Sequence, residues 1–155
     1  MIYPLREAIE DFTSLGGLAL YLLLVLLHFL MGYDSVGYAL VSSLIMLYVI
    51  IIVIRLFYYR NRPVKREYHN IVERIDASSF PSMHSARASS LAVILGSTAI
   101  IQVAIILWIV AVGVGIARII LKKHDIIDVI AGLLLGAIIG YASIILFGVN
   151  TAMIL

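Results

Sequence analysis

The sequence predicts an all-α fold, an integral membrane bundle of about five transmembrane helices. Hydrophobic residues make up 63% of the 155 residues, and charged residues only 13%. Soluble domains are closer to half apolar and a quarter charged, so one small core could not enclose this apolar surface and lipid must cover it. The chain has no cysteine, which excludes disulfides and thiolate metal sites. We expect residues 1–155 to form a single transmembrane domain.

Apolar stretches long enough to cross about 30 Å of hydrocarbon define the elements. A short interfacial helix is predicted before the first stretch, because charged and apolar residues are mixed there. The third and fourth stretches run together over residues 85–121. One helix of that length would extend about 55 Å at 1.5 Å per residue, so we expect a turn near Gly96–Gln102. The predicted spans are approximately 15–31, 36–57, 85–99, 102–121 and 126–147, with a polar loop at 60–80.

The distribution of charge predicts the orientation in the membrane. With five spans, the amino terminus, the polar loop and the 121–125 connection lie on one side. All 11 basic residues fall on that side, and Asp34 is the one charge on the opposite face. Because basic loops are retained in the cytoplasm, we expect the basic face of this cell-membrane protein to be cytoplasmic.

A first cluster of chemically useful residues ends the second predicted span. Arg55 and Arg62 are seven residues apart, so on one helix they would stack two turns apart. Pro63 disfavours helical geometry at the residue before it, which predicts a helix end near Arg62. Two guanidiniums suit an anion with several oxygens. By itself the cluster also fits basic residues that anchor a span end.

A second cluster, Pro81-Ser82-Met83-His84, opens the third predicted span. Proline is favoured in the first turn of a helix, and the free N–H groups of a helix start bind phosphate well. Ser82 adds a hydroxyl, and His84 is close enough to hand a proton to a departing oxygen. The alternative is an ordinary serine cap beside an interfacial histidine.

A third cluster joins the last two predicted spans. Arg118 ends one of them, and His124 and Asp128 open the next. A spacing of four residues is one helical turn, so the carboxylate should lie beside the ring. A carboxylate that accepts a proton from one ring nitrogen leaves the other free to attack. The alternative is a purely structural histidine–aspartate pair.

Glycine recurs every four residues along the fifth predicted span, at Gly132, Gly136 and Gly140. This spacing lets a neighbouring helix approach closely. Since the same helix carries the His124 and Asp128 pair at its start, tight packing would also hold that pair in place.

Taken in order, the three clusters resemble the signature of the type 2 phosphatidic acid phosphatase superfamily. That pattern is Lys-x6-Arg-Pro, then Pro-Ser-Gly-His, then Ser-Arg-x5-His-x3-Asp, and the resemblance covers about residues 54–140. Arg55 stands where the family usually has lysine, Met83 where it has glycine, and Ala117 where it has serine. A bulky residue at Met83 would be strained if the backbone had a positive φ. The family also usually has six spans.

The resemblance implies a metal-independent membrane phosphatase that needs no cofactor. His124 would form a phosphohistidine, Asp128 would orient it, and His84 would be the general acid. The phosphoryl oxygens would be bound by the remaining residues of the three motifs, namely Arg55, Arg62, Ser82, the Met83 N–H and Arg118.

The implied substrate is a lipid phosphate or diphosphate that enters sideways from the bilayer. The long basic connection and the pair Lys122 and Lys123 favour a polyprenyl diphosphate over a phosphatidate-type or phosphatidylglycerophosphate-type lipid. No nucleic-acid partner is implied, and the oligomeric state stays open. Two alternatives stay open as well: a vanadate-dependent haloperoxidase-like enzyme, and a non-catalytic lipid-headgroup binder or transporter.

Overall fold

The computed structural model describes residues 3–64 and 67–150, and within those ranges the chain is helical with no strand. The all-α class predicted from the sequence is therefore confirmed. A 3-10 turn at Ser14–Gly16 follows the first helix. The α-helices are α1 (Tyr3–Thr13), α2 (Leu18–Leu30), α3 (Asp34–Phe57), α4 (Ile71–Ala77), α5 (Met83–Gly96), α6 (Ile101–Ile120) and α7 (Ile126–Leu146).

The helices form a multi-pass membrane bundle. By length and composition, α3, α6 and α7 can each cross a membrane. The segment 3–16 and α2 pass the same test together, although they meet at a bend of 41°. Helix α5 has 14 residues and so extends about 21 Å at 1.5 Å per residue, which is short for a full crossing.

Helix α5 lies at the centre of the bundle, against α3, α6 and α7. Nine of its residues are buried, and most of these are alanine or serine. The glycine repeat of α7 faces it: a Cβ at Gly132 would lie 2.5 Å from the Ser82 carbonyl oxygen, and a Cβ at Gly136 would overlap the Ala86 carbonyl oxygen. The close helix approach predicted from the glycine spacing is confirmed. Because α5 and α7 run parallel, both start at the same end of the bundle.

The turn between α5 and α6 covers residues 97–100, inside the interval where the sequence required one. Two small polar side chains satisfy the carbonyls at the end of α5. Ser97 Oγ donates to Ile94 O at 2.7 Å, and Thr98 Oγ1 donates to Leu95 O at 3.1 Å. These bonds replace the intrahelical partners that a helix end lacks, so the chain can reverse here without a polar loop.

Helix α3 ends at Phe57, five residues earlier than the proline rule predicted, and the expected helical stacking of Arg55 and Arg62 is wrong. The physical reason is a competing set of hydrogen bonds. The next segment pairs with the chain just before α5: Ser79 N donates to Arg60 O at 2.9 Å, and Arg60 N donates to Ser78 Oγ at 3.3 Å. Arg62 therefore reaches the site from the irregular segment that follows α3 rather than from the surface of α3 itself.

The polar loop contains a helix that the sequence analysis did not predict. Helix α4 begins after Asn70, whose side chain accepts the Glu73 N–H at 2.8 Å, while Glu73 Oε2 accepts the His69 N–H at 2.7 Å. This is a reciprocal cap, and its sequence signal was an asparagine followed three residues later by glutamate. The helix carries the chain back across the end of α3, so carbonyl groups of residues 75–81 lie over Arg55.

Candidate active site

One cavity of about 750 Å³ opens where α3 and α6 end and where α5 and α7 begin. Six of the eight residues singled out in the sequence line it. These are Arg55, Arg62, Met83, His84, Arg118 and His124. The other two, Ser82 and Asp128, are fully buried and do not line the cavity. The three motifs therefore come together at one end of the bundle.

His124 and Asp128 are both buried, but they do not share a helix as the one-turn spacing suggested. His124 lies in the connection before α7, whereas Asp128 lies in the first turn of that helix. The distance between His124 Nδ1 and Asp128 Oδ2 is 3.8 Å, longer than a hydrogen bond. Asp128 Oδ2 instead accepts the Asp125 N–H at 2.9 Å, which caps α7.

Arg60 is a site residue that the sequence analysis missed. Its Nη1 lies 3.2 Å from Asp128 Oδ1, and its Nη2 lies 3.2 Å from Asp125 Oδ2. The Asp128 carboxylate is completely buried, where an unpaired charge would be costly. Arg60 supplies the compensating charge. No sequence spacing pairs residues 60 and 128, since the contact depends on how the polar loop folds back.

Arg55 lines the cavity and also binds backbone carbonyl groups of the segment before α5. It donates from Nη2 to Pro81 O at 2.9 Å, from Nη1 to Ile75 O at 3.2 Å and from Nε to Phe80 O at 3.3 Å. Three of its five donors therefore hold the segment that leads into α5. Arg55 positions the start of α5 as well as contributing charge to the cavity, which the sequence analysis did not anticipate.

Arg118 and Arg62 approach the cavity from different elements. Arg118 lies in the last turn of α6 and is 7% exposed, and its Nε has no hydrogen-bond partner among the described residues. A buried guanidinium with an unused donor at a cavity wall is suited to an incoming anion. Arg62 donates from Nη2 to the carbonyl oxygen of Asp76, in the last turn of α4.

The start of α5 is tied to the start of α7 through the backbone. Ser82 N donates to Asp128 O at 2.9 Å, and Ser82 Oγ accepts from Ser85 Oγ at 2.9 Å. The first bond sets the position of His84 relative to His124. Met83 begins the helix, and the positive-φ non-glycine among the described residues is Lys122. The methionine therefore replaces glycine without backbone strain.

The environment of His124 favours its neutral form. Burial lowers the pKa of His124 below its ordinary value, and the positive charges of Arg118 and Arg62 lower it further, while Asp128 acts in the opposite direction. A neutral imidazole has a free lone pair on one nitrogen. The direction of this shift therefore favours an imidazole with one nitrogen free to accept a bond.

The charge facing the cavity is strongly positive. Its basic side chains outnumber the two acidic ones, Glu10 and Asp76. Among the described residues, no three His, Asp or Glu side chains converge on a point that could hold a metal ion. The basic residues are Arg55, Arg62, Arg87, Arg118 and Lys123.

Comparisons with known proteins identify the family and the fold of this chain. The model of the PAP2 superfamily matches residues 36–152 of the chain. The fold is similar to that in the crystal structure of Aquifex aeolicus LpxE, with a TM-score of 0.78 and 24% sequence identity, over 93% of this chain and 87% of that one. At this identity the likeness shows a shared fold. No curated protein matches the chain significantly.

Proposed function

Because this chain belongs to the PAP2 superfamily, we propose that it is an integral membrane phosphatase that removes the terminal phosphate of a lipid. The observation that carries the proposal is the shared cavity, which is lined by both motif histidines and three motif arginines. A site that only bound a headgroup would need the arginines, but it would not need His124 beside a buried Asp128.

In this proposal His124 is the nucleophile and Asp128 orients it. Because Nδ1 faces the carboxylate, Nε2 is the nitrogen left to attack. Attack forms an N–P bond and breaks the P–O bond to the lipid, whose oxygen leaves with the bonding electrons. His84 donates a proton to that oxygen. Water then attacks the phosphohistidine, His84 takes up a proton from the water, and inorganic phosphate is released.

Arginines and a helix start are proposed to bind the phosphoryl oxygens. Phosphoryl transfer depends mostly on positioning and on neutralising oxygen charge. Arg118 and Arg62 supply that charge. Arg55 adds its own charge and the N–H donors that are not bonded to the carbonyl groups of residues 75, 80 and 81. Ser82 is fully buried and does not line the cavity, whereas Met83 does, so the Met83 N–H is the main donor that we assign to this helix start.

The proposed substrate reaches the cavity sideways from the bilayer. Among lipid phosphates, we favour a polyprenyl diphosphate over phosphatidate-type and phosphatidylglycerophosphate-type lipids. The support is electrostatic: five basic side chains line the cavity, more than a single phosphoryl group requires.

Purified protein is expected to release phosphate from a panel of lipid phosphates, and to do so equally well in excess EDTA. Guanidiniums, rather than magnesium, are proposed to neutralise the phosphoryl oxygens. The panel would contain polyprenyl diphosphate, phosphatidate and phosphatidylglycerophosphate, with phosphate measured colorimetrically. Activity that EDTA removes and a divalent ion restores would contradict the assignment of the arginines. If the protein hydrolyses none of these lipids, the proposed function is wrong.

We also propose that the catalytic face is cytoplasmic. Arg55, Arg62 and Arg118 must be discounted, because catalysis needs them on either side. The other basic residues still lie on that face by the predicted topology, which leaves eight of the 11 (11 − 3 = 8). A bias this general is the pattern that retains loops in the cytoplasm.

Single cysteines in this cysteine-free chain test the orientation. Glu67→Cys places a thiol in the exposed polar loop, and Ser35→Cys places one in the exposed first turn of α3, at the opposite end of that helix. In intact cells, a membrane-impermeant maleimide is expected to label Ser35→Cys and not Glu67→Cys, which should react only after permeabilisation. The reverse labelling pattern would show that the catalytic face lies outside.

A further inference from the structure

Arg87 is a buried cation that belongs to none of the three motifs. It lies on α5, one turn beyond His84, and is 5% exposed. Three residues of helix correspond to a rise of about 4.5 Å, so Arg87 sits deeper in the bundle than the catalytic histidines. Burying a charge at this depth is expensive, and such residues usually serve a function.

Neighbouring elements hold the Arg87 side chain in place without neutralising it. Nε donates to Gly16 O at 2.9 Å, and Nη1 donates to the Tyr48 hydroxyl at 3.0 Å. Within residues 3–64 and 67–150, no carboxylate forms an ion pair with Arg87, and no acceptor is bonded to its Nη2. The guanidinium is therefore oriented and still carries unused donors and an unbalanced charge.

This charge faces the same cavity as the catalytic residues. Arg87, Tyr48, Ile51 and Ile52 all line this cavity, and the three α3 residues lie about one to two helical turns further into the bundle than Arg55, so we call this its deep part. Ile52 is 39% exposed, and its neighbour Val53, which does not line the cavity, is 46% exposed, so this side of α3 borders the region where lipid is expected. The deep part of the cavity thus combines a fixed cation with an apolar wall next to the bilayer.

The position of Arg87 matches the part of a lipid substrate that lies between the reacting phosphate and the hydrocarbon tail. The terminal phosphate must lie next to His124, at the outer end of the cavity, while the tail must extend toward the bilayer. A second phosphate in the substrate would then fall at the level of Arg87. The motif arginines already serve the terminal phosphate.

We propose that Arg87 binds a second phosphate, the one that remains on the lipid after the terminal phosphate has been removed. The inference rests on the proposed phosphatase function and assigns a specificity residue to it. Because Arg87 is one helical turn from His84, we assign a diphosphate, in which the two phosphates are joined directly. Attack of His124 on the terminal phosphorus breaks its bond to the bridging oxygen. That oxygen leaves with the lipid monophosphate, and Arg87 stabilises the negative charge on this leaving group.

Matched substrates isolate the effect of the second phosphate. Farnesyl diphosphate and farnesyl monophosphate differ by one phosphate and share a tail, and hydrolysis of each is measured as kcat/KM in detergent. In Arg87→Gln, kcat/KM for the diphosphate divided by kcat/KM for the monophosphate is expected to fall at least about tenfold. This factor corresponds to the loss of one charge-assisted hydrogen bond. Arg87→Lys keeps the charge and should recover part of the ratio.

Arg118→Gln is the matched control, because Arg118 is assigned to the terminal phosphate in both substrates. It should lower both kcat/KM values by similar factors and leave their ratio unchanged. Equal losses on both substrates in Arg87→Gln would overturn the Arg87 assignment while leaving the phosphatase proposal standing. Hydrolysis of neither substrate by the unmodified protein would instead refute the proposed function.

Two further measurements complete the test. The first does not depend on whether Arg87→Gln folds, and the second distinguishes a directly linked second phosphate from a more distant one. With the unmodified protein, inorganic pyrophosphate is expected to inhibit at least about tenfold more tightly than inorganic phosphate, and equal inhibition would overturn the proposal. Phosphatidylglycerophosphate carries its second phosphate beyond a glycerol unit. If Arg87→Gln impairs its hydrolysis more than that of farnesyl diphosphate, the direct diphosphate assignment is wrong.

Discussion

Replacing His124 with alanine is expected to reduce phosphate release at least about a thousandfold. The substitution removes the attacking nitrogen and leaves the arginines that bind the phosphate, so substrate should still bind. It should also eliminate the phosphoenzyme that accumulates in unmodified protein quenched during turnover. An N–P bond is labile in acid and stable in base, and this behaviour distinguishes phosphohistidine from a phosphoserine.

A second histidine provides the control for this experiment. His28 lies on α2, where its Nδ1 is 2.7 Å from Leu24 O, and it does not line the catalytic cavity. His28→Ala should retain activity, and circular dichroism should show the same helix content for both variants. Substantial turnover or a persistent phosphoenzyme in His124→Ala would refute the mechanism.

Replacing Arg60 with methionine is expected to lower kcat about a hundredfold while KM changes little. Arg60 does not line the cavity, but it supplies the positive charge beside the buried Asp128 carboxylate. Without it, the carboxylate must move or recruit another partner, and His124 loses its fixed orientation. Arg60→Lys keeps the charge and should restore part of kcat, an effect that loss of packing alone would not produce.

Asp125→Asn separates the two contacts of Arg60. Asp125 is its other partner, and the Asp125 side chain is 49% exposed, so that ion pair should contribute little. Asparagine still suits a helix N-cap, and the contact between Arg60 and Asp128 survives. Near-normal kcat is therefore expected in Asp125→Asn. If Asp125→Asn is as impaired as Arg60→Met, or if Arg60→Met affects KM rather than kcat, the positioning role is wrong.

Several site contacts depend on local spacing, and the sequence was sufficient to predict where those residues meet. His124 and Asp128 are four residues apart, and they lie close together even though α7 begins between them. The start of α5 at Met83 follows from Pro81 and Ser82. Such arrangements involve one turn of chain or one helix terminus, so they persist in almost any tertiary structure.

Contacts between distant parts of the chain could not be predicted in the same way. Arg60 meets Asp128, and Arg55 meets the carbonyls of residues 75–81, only because the polar loop folds back over the end of α3. The proline rule placed the end of that helix near Arg62, because the rule depends only on the neighbouring residue. The actual end at Phe57 reflects pairing with Ser78 and Ser79, which lie about twenty residues further along.

The sequence by itself determined the membrane class, the all-α fold, the close approach of a helix to the α7 glycines and the three motifs. Composition, helical periodicity and the missing side chain of glycine are properties of each segment, independent of its neighbours. Only the tertiary structure decided which buried charges have partners. Asp128 is balanced by Arg60, whereas Arg87 faces the cavity without a carboxylate partner among the described residues. The energy of a buried charge depends on what surrounds it in space, and that environment comes from elements far apart in the chain.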